Sequence, residues 1–135
     1  MIRVLLVDDH PVVRAGYARL LSLDSEIKVI AEAECAMSGY VAFVEHAPDV
    51  TITDISMPNV SGLDLLRKIK QRDPAAKVLM SSMYDNSTLI RSALDGGATG
   101  FVTKNSSPDN LVAGVKAVYK ETKYLSDDIA LCPLE

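Results

Sequence analysis

Three carboxylates (Asp8, Asp9 and Asp54), one hydroxyl (Ser82) and one ammonium (Lys104) are the side chains whose types, held together, would do chemistry. Clustered carboxylates repel one another, so they all stay ionised only with a cation among them. Hard oxygen ligands favour Mg2+, which accepts one or two carboxylates together with waters and phosphate oxygens. Such an ion would offset the charge of an incoming phosphoryl group. Lys104 would hold one phosphate oxygen and Ser82 would donate to another. Asp54 is the carboxylate left to attack phosphorus and form an acyl phosphate. Singly, each residue has an ordinary explanation. Asp8 and Asp9 can cap a first helix, Ser82 can cap a fourth, Lys104 can be a solvated charge, and Asp54 can sit in a turn before Pro58. They make a site only if the fold brings all five to one place.

The elements that would do so alternate along the chain. Ile2–Val7 is a nearly continuous apolar run, which suits a strand covered on both faces. Asp8-Asp9-His10 follows at once, and Pro11 suits the first position of a helix. Residues 12–23 place Val12, Val13, Gly16, Leu20 and Leu21 on one helical face. Strand patterns recur at 27–31, 50–53, 78–80 and 99–103, the last four residues before Asp54 forming the third strand. Helices are expected at 37–45, after a Ser61 cap with Asp64 three residues on, at 87–94, and after Ser107-Pro108. The third helix would turn Leu65, Leu66 and Ile69 inward, and the last would carry Leu111, Val112, Val115, Val118 and Tyr119. Gly96-Gly97 reads as a helix stop. Five strand–helix alternations ask for an α/β fold, a parallel sheet with helices on both faces and right-handed crossovers. In such a sheet ligands bind beyond the carboxyl ends of the strands, where the strand order switches. All five polar residues fall at those ends.

Composition bounds the class. The chain has 135 residues, enough for one domain with a real core, and 48% of them are hydrophobic. A net charge of −4 with no basic stripe argues against nucleic acid binding by this segment. Cys35 and Cys132 are far apart without metal-ligand spacing, which fits reduced thiols and a cytoplasmic protein. The N-terminus runs directly into a strand pattern, so no signal peptide is expected. No apolar stretch approaches a membrane span, so no membrane partner is expected.

As a set, Val7-Asp8-Asp9-His10, the run from Pro48 through Asp54 to Met57-Pro58, Gly62-Leu63, Ser82, and Gly97-Ala98-Thr99-Gly100-Phe101-Val102-Thr103-Lys104 resemble the receiver domain of bacterial two-component response regulators. The resemblance covers residues 1–121. Asp8-Asp9-His10-Pro11, Ser82-Met83 and Tyr124-Leu125-Ser126 are similar to the NarL/FixJ subfamily, in which the receiver precedes a helix-turn-helix DNA-binding domain. What the resemblance implies is a flavodoxin-like sheet of five strands in the order 2-1-3-4-5. It implies Asp54 as phosphoacceptor from a sensor histidine kinase. Asp9, Asp54 and the backbone carbonyl of Ser56 would bind Mg2+ directly, with Asp8 acting largely through water. Ser82 and Lys104 would contact the phosphoryl group, and Ser82 and Phe101 would switch with phosphorylation. A phosphorylation-dependent homodimer is implied, with DNA reached only through an output domain beyond a linker that starts at 122–135. The domain would be a phosphoacceptor rather than an enzyme in the usual sense, assisting its own phosphorylation and dephosphorylation. Met83 stands where many receivers have a small residue. Asn105 stands where many have proline, and a cis peptide bond between Lys104 and Asn105 is expected.

Competing functions fit less well. An aspartyl-nucleophile phosphatase of the haloacid dehalogenase type needs a second aspartate two residues after the first, where this chain has Ser56. A nucleotide-binding module would need a glycine-rich phosphate loop, and neither usual pattern is present. The remaining alternative is a receiver-like interaction module that is never phosphorylated.

Overall fold

A computed structural model describes residues 1–57, 60–83, 87–104 and 108–126. The elements are β1 (Ile2–Val7), α1 (Pro11–Ser22), β2 (Ile27–Ala33), α2 (Ala36–His46), β3 (Val50–Asp54), α3 (Gly62–Arg72), β4 (Val78–Ser82), α4 (Ser87–Asp95), β5 (Gly100–Thr103), α5 (Pro108–Tyr119) and β6 (Tyr124–Leu125). All strand pairs are parallel, in the order β2-β1-β3-β4-β5-β6.

The apolar runs explain the layering. Side chains alternate across a strand, so β1 feeds two cores. Leu5 and Val7 pack with Phe43 of α2, Leu65, Leu66 and Ile69 of α3, and Ile90 and Ala93 of α4. Val4 and Leu6 pack with Leu21 of α1 and Leu111, Val115 and Val118 of α5. Each fully buried Leu or Ile in these clusters contributes about 1.5–3 kcal/mol. The inward face expected for α3 is the one observed, and Ser61 caps it by accepting from the Asp64 amide. Gly97 has φ +105 and stops α4 as a residue without Cβ can.

Three expectations change. The sheet has six strands, not five: Tyr124–Leu125 lies beside β5, with the Ser126 amide donating to the Phe101 carbonyl at 3.1 Å and the Tyr124 hydroxyl donating to Asn110 Oδ1 at 2.6 Å. Two residues are too few for a periodic signal, and side-chain anchors on neighbouring elements hold them. Val12 is 85% exposed and Gly16 is exposed as well, and the face of α1 that packs inward carries Tyr17, Ala18, Leu20 and Leu21. Tyr119 stays at the surface, with the Lys77 ammonium 4.9 Å from the centre of its ring. The peptide bond between Lys104 and Asn105, Cys132 and the tail from 127 lie outside the described residues.

Candidate functional site at the carboxyl edge of the sheet

Strand register builds the site. Val7 is level with Thr53, Asp54 with Ser81, and Ser82 with Thr103. Asp8 and Asp54 therefore leave β1 and β3 at one height, and Ser82 and Lys104 follow at the ends of β4 and β5, one and two residues further along. They surround the point where the strand order switches between β1 and β3, the location at which open parallel sheets bind ligands.

The cluster is buried and charged. Asp8 and Asp54 are each 1% exposed and Ser82 is fully covered. Lys104 Nζ lies 2.9 Å from Asp8 Oδ2 and 3.1 Å from Asp54 Oδ2. Burial works against the Lys104 ammonium, but Asp8 and Asp54 outweigh it and hold the group above its ordinary range. Burial pushes the Asp54 carboxyl above its ordinary value, with Asp8 adding to the effect. Lys104 and the Ser56 backbone amide offset this only in part. Asp54 Oδ2 and Asp9 Oδ1 are buried without a hydrogen-bond partner, so the Lys104 contact to Oδ2 is ionic rather than an aligned hydrogen bond. Buried anionic oxygens without hydrogen bonds are costly, and a further cation beside Lys104 would offset the cost. One ligand atom from each of Asp8, Asp9, His10 and Asp54 lies within 4.8 Å of the others. The donor set therefore fits a divalent ion.

Side chains on α1 complete the surroundings. Arg14 Nη1 donates to the Asp8 carbonyl at 2.7 Å, fixing the backbone of the acidic pair. The Tyr17 hydroxyl sits 3.3 Å from Ser81 Oγ, and burial raises its pKa. His10 places Nδ1 3.0 Å from Asp8 Oδ1, 3.1 Å from Asp9 Oδ1 and 3.6 Å from Asp54 Oδ2. Sequence reasoning gave none of these three a role. The spacing 10, 14, 17 was the available signal, since residues three and four apart share a helical face.

The other expected residues are placed as follows. Ser56 is exposed just after β3, and its amide bonds the Asp54 carboxylate. Phe101 is fully buried in the cluster that contains Ile90 and Ala93 of α4, level with Met80. Met83 is half exposed.

The raised Asp54 pKa has a stability consequence. A carboxyl that binds its proton more tightly when folded stabilises fully below its unfolded value and loses that contribution as pH rises through the folded value. In EDTA, Asp54→Asn is therefore expected to melt higher than wild type at neutral pH. The difference should shrink as pH falls toward the ordinary aspartate value of 3.8. Calorimetry across that range checks it; a variant less stable than wild type at neutral pH would show that the ionised group is net stabilising.

Comparison with known proteins agrees with this geometry. Residues 4–116 match the response regulator receiver domain family. The chain is 40% identical over 131 residues to the transcriptional regulatory protein UhpA of Escherichia coli strain K12, covering 97% of this chain and 65% of that protein. It is 37% identical over 130 residues to the response regulator UvrY of the same strain, covering 96% of this chain and 60% of that protein. The chain thus spans less than two thirds of either relative. A LuxR-family two-component response regulator from Aurantimonas sp. SI85-9A1 has a crystal structure that superposes with a TM-score of 0.94 at 38% identity, covering 97% of this chain and 94% of that one. With the family pattern matched along most of its length and the acidic pocket assembled at the expected sheet edge, this chain belongs to the response regulator receiver domain family.

Proposed function

We infer that this receiver accepts a phosphoryl group on Asp54 from a sensor histidine kinase and switches conformation to control a DNA-binding output. The observation that carries the reading is the buried Asp54 carboxylate, ion-paired to the Lys104 ammonium at 3.1 Å beside the acidic pair. Asp9, Asp54 and the Ser56 carbonyl would hold Mg2+, with Asp8 acting through water. The ion's contribution is positive charge against the incoming phosphoryl oxygens. Lys104 holds one of those oxygens and Ser82 donates to another. Both chemistries are positioning and charge offset, the usual means of phosphoryl transfer. The domain assists its own phosphorylation and dephosphorylation in this way.

Output follows from charge. An acyl phosphate adds about two negative charges and strong acceptors. A charge-assisted bond from Ser82 pulls the segment after β4 inward, and Phe101 repacks beside α4. The likeness to a transcriptional regulatory protein and to a LuxR-family regulator supports a helix-turn-helix output domain in the whole protein. We place its linker beyond 126, since β6 belongs to the sheet, and the protein in the cytoplasm. Among the described residues no helix is long and apolar enough to cross a membrane.

The direct test is incubation with acetyl phosphate and Mg2+ followed by intact mass measurement. One added phosphate that disappears in EDTA is expected; no uptake would favour an interaction module that is never phosphorylated. Sedimentation velocity with beryllofluoride and Mg2+ should in turn convert monomer to a two-fold dimer. In Ser82→Ala that shift should diminish. A monomer unchanged over a wide concentration range would reject dimerisation as the readout of this segment.

A further inference from the structure

We propose that His10 Nδ1 is a ligand of the divalent cation in this pocket, giving the site a nitrogen donor and a preference for transition-metal ions. The inference rests on the cation site described under Proposed function and adds to it a residue and an ion class. His10 is the residue before α1, in extended conformation, and its side chain makes no cap hydrogen bond. Its ring is instead turned into the acidic pocket. The His10 amide donates to Asp8 Oδ1 at 2.8 Å, and Nδ1 lies 3.0 Å from the same oxygen. The backbone contact therefore sets where the ring points.

The distances are those of a coordination sphere. Adjacent ligands of an octahedral ion with bonds of about 2.1 Å lie about 3.0 Å apart. Nδ1 is 3.0 Å from Asp8 Oδ1 and 3.1 Å from Asp9 Oδ1, with Asp54 Oδ2 at 3.6 Å. Two of the neighbouring oxygens, Asp9 Oδ1 and Asp54 Oδ2, are buried without a hydrogen-bond partner, and Asp54 Oδ2 meets the Lys104 ammonium as an ion pair at 3.1 Å. In the tautomer that carries its proton on Nε2, the imidazole would present the Nδ1 lone pair to that point. Lys104 Nζ, 3.4 Å from Nδ1, marks the same region as one that attracts positive charge. Imidazole nitrogen suits zinc, copper, iron and nickel, whereas all-oxygen sets suit magnesium and manganese. With one imidazole beside the Asp9 and Asp54 carboxylates, the site therefore binds both classes and ranks zinc, copper, iron and nickel above what oxygen alone would give.

The chain has two histidines, which makes the test clean. His46 is at the end of α2 beside Glu45, outside the cluster. Mn2+ is added to the full chain labelled with 15N-histidine. Loss of the free-ion electron paramagnetic resonance signal reports binding, and pulsed measurements report nitrogen coupling. Expected is a 15N coupling that persists in His46→Ala and vanishes in His10→Ala. In parallel, the ratio of Ni2+ to Mg2+ affinity, measured by competition against Mn2+, should fall about 10- to 100-fold in His10→Ala. It should stay unchanged in His46→Ala. Bound Mn2+ with no nitrogen coupling overturns the proposal while leaving the cation site standing. The same holds for a nickel-to-magnesium ratio that His10→Ala leaves unaltered. Failure of Mn2+ to bind at all overturns the cation reading together with this one.

Discussion

Asp54→Asn is expected to abolish phosphate uptake from acetyl phosphate, with no detectable added mass under conditions that fully modify the wild type. The amide removes the nucleophilic oxygen while keeping the side-chain shape. Lys104 keeps its other partner, Asp8 Oδ2 at 2.9 Å, so the pocket should not collapse. The neighbouring carboxylates should not substitute. Asp8 is engaged on both oxygens, by the His10 amide on one and by Lys104 on the other. Asp9 is more exposed, and its orphaned Oδ1 points to a cation role. Asp9→Ala should consequently weaken Mg2+ binding more than Asp8→Ala, by about tenfold or more on the scale of lost metal-site partners. Equal losses would reject the division into a direct and a water-mediated carboxylate. Uptake in the Asp54→Asn variant equal to wild type would move the acceptor elsewhere.

A second large effect is expected at Gly62, the first residue of α3. Its amide donates to the Ile55 carbonyl at 2.8 Å, closing the loop that follows β3. A Cβ there would fall on the carbonyl oxygen of Asp54 and within 2.9 Å of Ile55 Cα. These are backbone atoms and cannot rotate aside. Gly62→Ala should cost about 3 kcal/mol or more, a fall in Tm of roughly 10 °C for a domain of this size. Because the displaced backbone carries the acceptor, phosphate uptake should fall as well. Gly16→Ala is the control. It lies in the exposed middle of α1 with nothing within 4 Å of the added carbon. Replacing a helical glycine there should leave uptake intact and raise stability by about 0.5–1 kcal/mol. If Gly62→Ala melted like wild type, the loop would have to relax without moving Asp54.

By itself the sequence determined the alternation of strands and helices, because apolar runs at the strands and stripes at the helices are set by burial on each element. It also determined the acidic pair, Asp54, Ser82 and Lys104 as residues of one edge, because parallel strands put all their carboxyl ends on the same side. The stop at Gly97 and the cap at Ser61 were legible for local reasons, since each depends on the chemistry of a few adjacent residues. What needed the tertiary structure is whatever depends on register and on contacts between distant segments. Thr53 level with Val7, and Asp54 level with Ser81, give Lys104 reach to both aspartates, and register has no signature in strands buried on both faces. The sixth strand depends on Ser126 and Tyr124 finding Phe101 and Asn110, which no local pattern of two residues announces. The turn of His10 into the pocket, against the usual habit of a residue before a helix, was decided by the positions of three carboxylates from two strand ends. The close approach of Gly62 to Asp54 was likewise fixed by how α3 packs under β3, a distance that only the assembled chain defines.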